Sequence, residues 1–218
     1  MPYTLSNTSL NLMEECHRCF WLDKHKVWKR PAGIFPSLPA GMDSILKAHF
    51  DSYIGSGALP PELKRKLDST EYQLFGDKAL LDSWRNWRKG LRWEDSRGNA
   101  LTGAIDNVLT RNEKLVVLDY KTRGYDLKED TAAHYQNQLD IYAFLLEMNG
   151  HPTADYGFLL FYVPKKVQKD GSVVFETTLK RMPANGRRAL RLFREAVALL
   201  DGKCPKKGCE WCGNVAEK

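Results

Sequence analysis

The residues best suited to chemistry follow one short apolar run. Residues 115–118 (Leu-Val-Val-Leu) predict a buried strand, and Asp119 and Lys121 come directly after it. Because side chains alternate along a strand, the carboxylate and the ammonium share one face. Two charges at the end of a buried strand are costly unless a metal or a substrate uses them.

A second carboxylate, Asp106, lies upstream. Residues 99–110 predict a strand, and its segment Gly103 to Asp106 is expected to end beside the first strand, so that Asp106 and Asp119 converge. Two carboxylates and a backbone carbonyl form an oxygen site that suits Mg²⁺ or Mn²⁺. With a lysine beside the metal, these are the groups that metal-assisted phosphodiester hydrolysis needs. The alternative is a structural Asp–Lys ion pair.

The helix predicted over residues 131–148 carries two polar side chains on one face. Gln138 and Tyr142 are spaced i, i+4, while Ile141, Phe144 and Leu145 can pack on the opposite flank. A core-facing glutamine and tyrosine are unusual on so apolar a helix. They either support a site or hydrogen-bond to the adjacent sheet.

The order of these motifs resembles the RecB-like branch of the PD-(D/E)xK nuclease superfamily. That branch has an Asp after a Gly-containing strand, then Asp-x-Lys, then Gln-x-x-x-Tyr. It also begins with a Ser-rich helix cap that leads to a Cys followed by basic and aromatic residues, as in residues 6–21 here. The resemblance extends from residue 5 to residue 212. The matching residues are Asp106, Asp119, Lys121, Gln138 and Tyr142.

The resemblance implies a fold, a set of roles and a substrate. The fold is α/β, a restriction-endonuclease-like mixed sheet flanked by helices. Asp106, Asp119 and the Tyr120 backbone carbonyl would bind Mg²⁺ or Mn²⁺. Lys121 would be the catalytic lysine, and the glutamine and tyrosine of the helix would support the site or contact the scissile strand. The substrate would be DNA, as single strands or duplex ends, cleaved as by exonucleases of the RecB and CRISPR-adaptation type.

Two other functions fit the same motifs. One is a non-catalytic nucleic-acid-binding module, which would bind in a salt-dependent way without cleaving. The other is a nuclease subunit that cleaves only with a helicase or a CRISPR-adaptation-type protein partner, because the chain has no P-loop of its own.

The helix predicted from Gly41 or Met42 to Tyr53 departs from the branch. Its members often have a metal-binding His four residues after a Gly, where this chain has Ile45. His49 lies one turn later on the same helix. It is either a substitute metal ligand or an exposed side chain.

The five cysteines occur only near the two ends of the chain, which favours one metal site over a disulfide framework. Iron–sulfur members of the branch imply a [4Fe–4S] cluster held by one N-terminal and three C-terminal cysteines. Two Cys-x-x-Cys pairs would instead form a thiolate set that Zn²⁺ also accepts. Either metal would tie the two ends of the chain together, and unliganded cysteines are the remaining alternative. The candidate ligands are Cys16, Cys19, Cys209 and Cys212, with Cys204 as the substitute for Cys19.

Composition bounds the class of protein. The chain has 218 residues, 43% of them hydrophobic and 28% charged, which predicts one domain with a buried core. We expect a helical part to about residue 95, a catalytic core over about 96–200 and a cysteine-bearing tail over 201–218. No run approaches the ~18 apolar residues that span a bilayer, and no secretory signal is recognisable, so a cytoplasmic protein without membrane contact is expected. The net charge of +6 leans toward polyanionic partners.

The remaining elements are helices over 8–26, 77–91 and 185–200 and strands over 156–163 and 172–181. Trp84 and Trp87 are expected to pack in the core rather than to stack on bases. Basic side chains form either solvated faces or a groove that tracks phosphates. They are Arg187, Arg188, Arg191 and Arg194 on the last helix, and Lys165, Lys166 and Lys169 in a loop before it.

Overall fold

The computed structural model describes residues 2–33, 36–88, 90–213 and 215. The helices in this part of the chain are α1 (Asn7–Glu15), α2 (His17–Lys24), α3 (Ser37–Asp51), α4 (Pro61–Lys64), α5 (Lys78–Arg85), α6 (Gln136–Met148) and α7 (Gly186–Asp201). The strands are β1 (Thr4–Ser6), β2 (Gln73–Leu74), β3 (Leu91–Glu94), β4 (Ala100–Gly103), β5 (Asn107–Arg111), β6 (Lys114–Thr122), β7 (Tyr156–Val167) and β8 (Val173–Pro183).

These strands form two mixed sheets, which confirms the predicted α/β fold with flanking helices. The larger has the order β2-β5-β6-β7-β8, in which only β6 and β7 run parallel. The smaller has the order β1-β4-β3. The N-terminal part, expected to be helical, therefore also contributes β1, β2 and β3.

Strand β6 is buried on both faces. Leu115 and Val117 pack in the cluster that contains α6 and α7 side chains, while Val116 and Leu118 pack in the cluster on the opposite face. The continuous apolar run predicted this burial, because a strand that is covered on both faces carries apolar residues at every position instead of alternating apolar and polar ones. The residues at the end of β6, including Asp119 and Lys121, are therefore held in place by a buried strand.

The strand predicted over residues 99–110 is wrong in one respect, because it is two strands in different sheets. β4 ends at Gly103, and β5 begins at Asn107 and pairs antiparallel with β6. Asp106 lies in the connection, immediately before β5, rather than at the end of β4. The pairing of Asn107 with Leu118 still brings Asp106 and Asp119 together when the register is continued by one residue.

Three predicted helices are shorter than expected. The helix over 131–148 begins as an α-helix only at Gln136, after a 3₁₀ turn over Ala133–Tyr135. The helix over 8–26 breaks at Cys16, whose backbone is extended and whose Sγ accepts a hydrogen bond from the Cys19 N–H at the start of α2. The helix over 77–91 ends at Arg85, and the chain re-enters a strand at Leu91.

The prediction that Trp84 and Trp87 are both core residues is half right. Trp84 is buried, whereas Trp87 lies beyond the helix end, is 76% exposed and has the Arg88 guanidinium 4.8 Å from its ring centroid.

The prediction of an edge strand over residues 172–181 is confirmed, because β8 lies at the edge of the larger sheet. The expected basic loop is partly strand, because Lys165 and Lys166 lie in β7.

No helix in the described part of the chain is both long enough and apolar enough to cross a membrane.

Gly103 allows α6 to approach the smaller sheet. A Cβ at this position would lie 2.8 Å from Leu145 Cδ1 and 3.0 Å from Tyr142 Cε1, so the glycine leaves room for the tyrosine ring. The motif glycine thus has a packing role.

We predict that Gly103→Ala destabilises the protein by about 1–3 kcal/mol, the usual cost of overpacking. The buried Tyr142 ring must shift to accept the methyl group. Urea unfolding measures the change. Gly41→Ala is the control, because that α3 glycine has no atom within 4 Å of a new Cβ and should gain stability by about 0.5–1 kcal/mol. Equal effects of the two substitutions would contradict the packing role.

Candidate active site

A buried carboxylate is the centre of the site. Asp119 has no exposed surface, and Lys121, on the same face of β6, has its Nζ 2.5 Å from Asp119 Oδ2. This contact is an ion pair without hydrogen-bond geometry, so Oδ2 is a buried oxygen that accepts no hydrogen bond within the described chain. Burial, then the neighbouring Asp106 carboxylate, raise the pKa of Asp119 to about 7, against the effect of Lys121.

Gln138 joins the charged pair to α6. Its Oε1 accepts a hydrogen bond from Lys121 Nζ at 2.9 Å, and its Nε2 donates to Asp119 Oδ1 at 3.0 Å and to the Tyr142 hydroxyl at 2.9 Å. An ammonium can only donate and a carboxylate can only accept, so the amide has one orientation that satisfies both. The structure therefore brings together four of the predicted residues.

Asp106 completes the group from the connection immediately before β5. Its Oδ2 accepts a hydrogen bond from the Tyr120 N–H at 3.3 Å, and its Oδ1 lies 3.0 Å from Lys47 Nζ. The Tyr120 side chain points to the opposite face of β6, where its hydroxyl accepts from Asn107 Nδ2 and its ring contacts Phe50. Only the backbone of Tyr120 therefore faces the carboxylates, through its N–H, and the carbonyl ligand stays a prediction.

Lys47 of α3 is a site residue that the motifs did not indicate. Its Nζ also lies 2.8 Å from Asp43 Oδ2, an i, i+4 pair on the same helix. Burial lowers the pKa of Lys47, but Asp106 and Asp43 more than offset this, so the pKa is raised overall. The Asp-x-x-x-Lys spacing is visible in the sequence, yet it is common on solvated helices and does not by itself indicate a site.

The structure does not bring His49 to the carboxylates. Its Nε2 lies 3.0 Å from Glu62 Oε1, and Glu62 also accepts a hydrogen bond from the Tyr162 hydroxyl. The α3 residue that contacts Asp106 is Lys47, half a turn earlier in the helix.

Tyr135 is a second site residue that the sequence motifs did not indicate. It precedes α6, and its ring centroid is 4.6 Å from Lys121 Nζ, a cation–π distance. Lys121 is therefore held by Asp119, Gln138 and an aromatic face, which leaves the ammonium little freedom.

This arrangement fits a hard divalent cation. Asp119 Oδ2 is buried without a hydrogen bond, and a second carboxylate raises the pKa of Asp119. Within the described residues, the two aspartates form ion pairs with Lys47 and Lys121. Oxygen ligands from two carboxylates are what Mg²⁺ and Mn²⁺ prefer.

The predicted cysteine site forms from both ends of the chain. The Sγ atoms of Cys16, Cys19, Cys209 and Cys212 all lie within 4.8 Å of one another, and no other group of three or more His, Cys, Asp or Glu side chains placed to share a metal ion occurs in the described residues. Cys204 is not one of the four, so the two Cys-x-x-Cys pairs form the cluster. The thiol of Cys204 contacts the Pro205 carbonyl oxygen instead.

A buried arginine fastens the tail beside this cluster. Arg18 donates to the Pro205 carbonyl at 2.8 Å and to the Val215 carbonyl at 2.7 Å. Arg30 donates to Cys19 Sγ at 3.5 Å and to Cys209 Sγ at 3.9 Å. Burial raises the pKa of Cys19 to about 12, and the crowding by the other three cysteines adds to the shift against the effect of Arg30. Four cysteine sulfurs this close could hold a metal ion between them.

The basic candidates differ in their surroundings. Arg188 binds the buried Asp140 carboxylate through two nitrogens, at 2.6 and 2.8 Å, so it links α6 to α7. Arg191 is exposed and lies 3.7 Å from Glu195, and Lys165 pairs with Asp126 and Glu176. These contacts favour a structural role for Arg188 and solvated positions for the other two.

Comparison with known families agrees with the geometry. A family model described as the PD-(D/E)XK nuclease superfamily matches residues 39–214, which include the carboxylates, the lysine and the C-terminal Cys-x-x-Cys. No curated protein gives a significant match to the sequence.

We predict that Mn²⁺ stabilises the protein through the carboxylate pair. A ligand at 100 times its dissociation constant contributes about 2.7 kcal/mol, which raises the melting temperature by several degrees. Thermal unfolding with and without Mn²⁺ measures this shift. Asp106→Asn should abolish it, whereas Asp126→Asn, at an exposed ion pair, should retain it. The same shift in wild type and Asp106→Asn would contradict metal binding here.

Proposed function

Because this chain belongs to the PD-(D/E)XK nuclease superfamily, we propose that it is a metal-dependent nuclease that hydrolyses phosphodiester bonds of DNA. The observation that carries the proposal is the convergence of Asp106, Asp119 and Lys121 at the end of a buried strand, with Gln138 bonded to both Asp119 and Lys121. A structural Asp–Lys ion pair would not need a second, partly buried carboxylate beside it.

Asp106, Asp119 and the Tyr120 carbonyl are the proposed ligands of Mg²⁺ or Mn²⁺. The metal would supply Lewis-acid polarisation of the phosphate and a lowered pKa for the attacking water. Asp106 can serve as a ligand while its Oδ1 stays paired with Lys47, because each carboxylate oxygen has more than one lone pair. The Lys47 ammonium is then a second cation beside the site and can face a substrate phosphate.

Lys121 is the proposed catalytic lysine. Its ammonium can orient the attacking water and offset the negative charge that develops on the phosphate. Gln138 and the Tyr135 ring fix its position, and Tyr142 fixes Gln138 in turn. Preorganised charge of this kind costs no rearrangement during the reaction.

Single strands and duplex ends are the proposed substrates, with exonuclease action as in the RecB-like branch. The order of the motifs supports the branch. Tyr125, four residues after Lys121, supports single strands, because its ring is 85% exposed and could stack on a base. A helicase or a CRISPR-adaptation-type protein remains the proposed kind of partner.

The cysteine cluster is proposed as a structural metal centre within one cytoplasmic nuclease domain. The RecB-like branch implies [4Fe–4S], and two Cys-x-x-Cys pairs also suit Zn²⁺. In both cases four thiolates leave no open position for a substrate.

Lys121→Ala should reduce Mn²⁺-dependent cleavage of labelled DNA about 100-fold or more, the scale expected for one preorganised charge. Gel assays with single-stranded and duplex DNA measure the rate. Lys165→Ala is the matched control, because that lysine lies in exposed ion pairs. Full activity of Lys121→Ala would contradict the mechanism, and salt-dependent binding without cleavage by wild type would favour the binding module.

Exonuclease action has a separate test. Linear and circular single-stranded DNA of the same sequence should be cleaved very differently, because only the linear form has ends. We expect degradation of the linear strand and an intact circle. Cleavage of both at similar rates would show endonuclease action while leaving the metal site intact.

A further inference from the structure

The spacing of the four cysteine sulfurs distinguishes between one metal ion and a cluster. Cys16 Sγ is 3.7 Å from Cys212 Sγ, Cys19 Sγ is 3.5 Å from Cys209 Sγ, and the sulfurs of Cys209 and Cys212 are 3.9 Å apart. All four sulfurs lie within 4.8 Å of one another.

A single tetrahedral ion requires this spacing. With Zn–S bonds of about 2.3 Å, the sulfurs of a tetrahedral site lie about 3.8 Å apart. In a [4Fe–4S] cluster each cysteine binds a different iron. The distance between two cysteine sulfurs is then the sulfur–sulfur distance of a single-ion site plus the iron–iron distance, which together exceed about 6 Å.

The tail packs closely against the cysteine cluster on the side of Gly208 and Arg18. A Cβ at Gly208 would lie 3.1 Å from Cys212 Sγ and 3.2 Å from Arg18 Cδ, so the tail passes close to both. Arg18 is itself buried and bonded to two carbonyl oxygens of the tail. An expansion that moves the tail away from Arg18 would have to break these hydrogen bonds.

We infer that Cys16, Cys19, Cys209 and Cys212 bind one Zn²⁺ ion rather than the [4Fe–4S] cluster that the family resemblance implies. The site is closed, with four thiolates and no open position, so its role is structural. Zn²⁺ with four thiolates carries a net charge of −2, which Arg30 partly offsets through its bonds to Cys19 and Cys209. This assignment does not depend on the nuclease activity.

The ion would hold the C-terminal tail on α2. Cys16 and Cys19 flank the first turn of α2, and the tail otherwise contacts this helix through hydrogen bonds such as that from Trp21 Nε1 to the Gly202 carbonyl. Zn²⁺ has no redox chemistry, so an oxidant that bleaches iron–sulfur clusters has no cluster here to attack.

Elemental analysis of the full chain tests the inference. The protein is purified anaerobically from cells grown with excess iron, and zinc, iron and acid-labile sulfide are measured per chain. We expect one zinc per chain with neither iron nor sulfide. Iron and sulfide in the four-to-four ratio of a cubane, or a chain free of metal, would overturn the assignment.

Two further measurements test the ligands without using cleavage. Co²⁺ substituted for zinc in the wild-type chain should give the visible spectrum of a tetrahedral thiolate site, and an octahedral spectrum would overturn the geometry. Cys204→Ser should keep one zinc per chain, whereas Cys19→Ser should lose it. The reverse pattern would overturn the ligand set.

Discussion

The burial of one carboxylate, that of Asp119, constrains the rest of the site. A charge at the end of a strand covered on both faces is costly unless cations compensate for it. Lys121 does so from the same strand, and Asp106 makes the requirement larger by adding a second negative charge. Two carboxylates so close are stable together only with a cation beside them, from the two lysines or a divalent metal, or with a proton on one of them.

Helix α6 fixes the positions of the charged side chains. Gln138 holds both partners of the ion pair, and the helix comes close enough because Gly103 leaves space for the Tyr142 ring. The start of α6 is held in turn by α1, where Glu14 accepts a hydrogen bond from Asn137. Cys16 directly follows α1, so this one helix connects the cysteine cluster with the helix that carries Gln138.

The sequence predicted the parts of the site that depend on one element. Alternation along β6 placed Asp119 and Lys121 on one face, and helical spacing paired Gln138 with Tyr142, because each pattern is a property of a single strand or helix. The clustering of four cysteines was predictable because no cysteine lies between the two ends of the chain. Asp106 was correctly expected beside β6, but at the end of one continuous strand. The chain instead leaves one sheet after Gly103 and enters the other at Asn107, and no sequence signal in this segment indicates the change.

The residues that were missed come from elements brought in by tertiary packing. Lys47 and His49 lie two positions apart on α3, and only the docking of α3 on β6 decides that Lys47 reaches Asp106. The exposure of Trp87 depends on where α5 ends, which periodicity alone did not show. Tyr135 contacts Lys121 through space, with no motif to mark it.

Manganese binding and DNA cleavage measured on the same preparation test the central claim most directly. Mn²⁺ binding can be followed by the loss of the free-ion paramagnetic resonance signal, and cleavage of a labelled single strand by its initial rate. The account predicts that both rise over the same range of Mn²⁺ concentration, because one carboxylate site serves both. Saturated binding without any cleavage would contradict it.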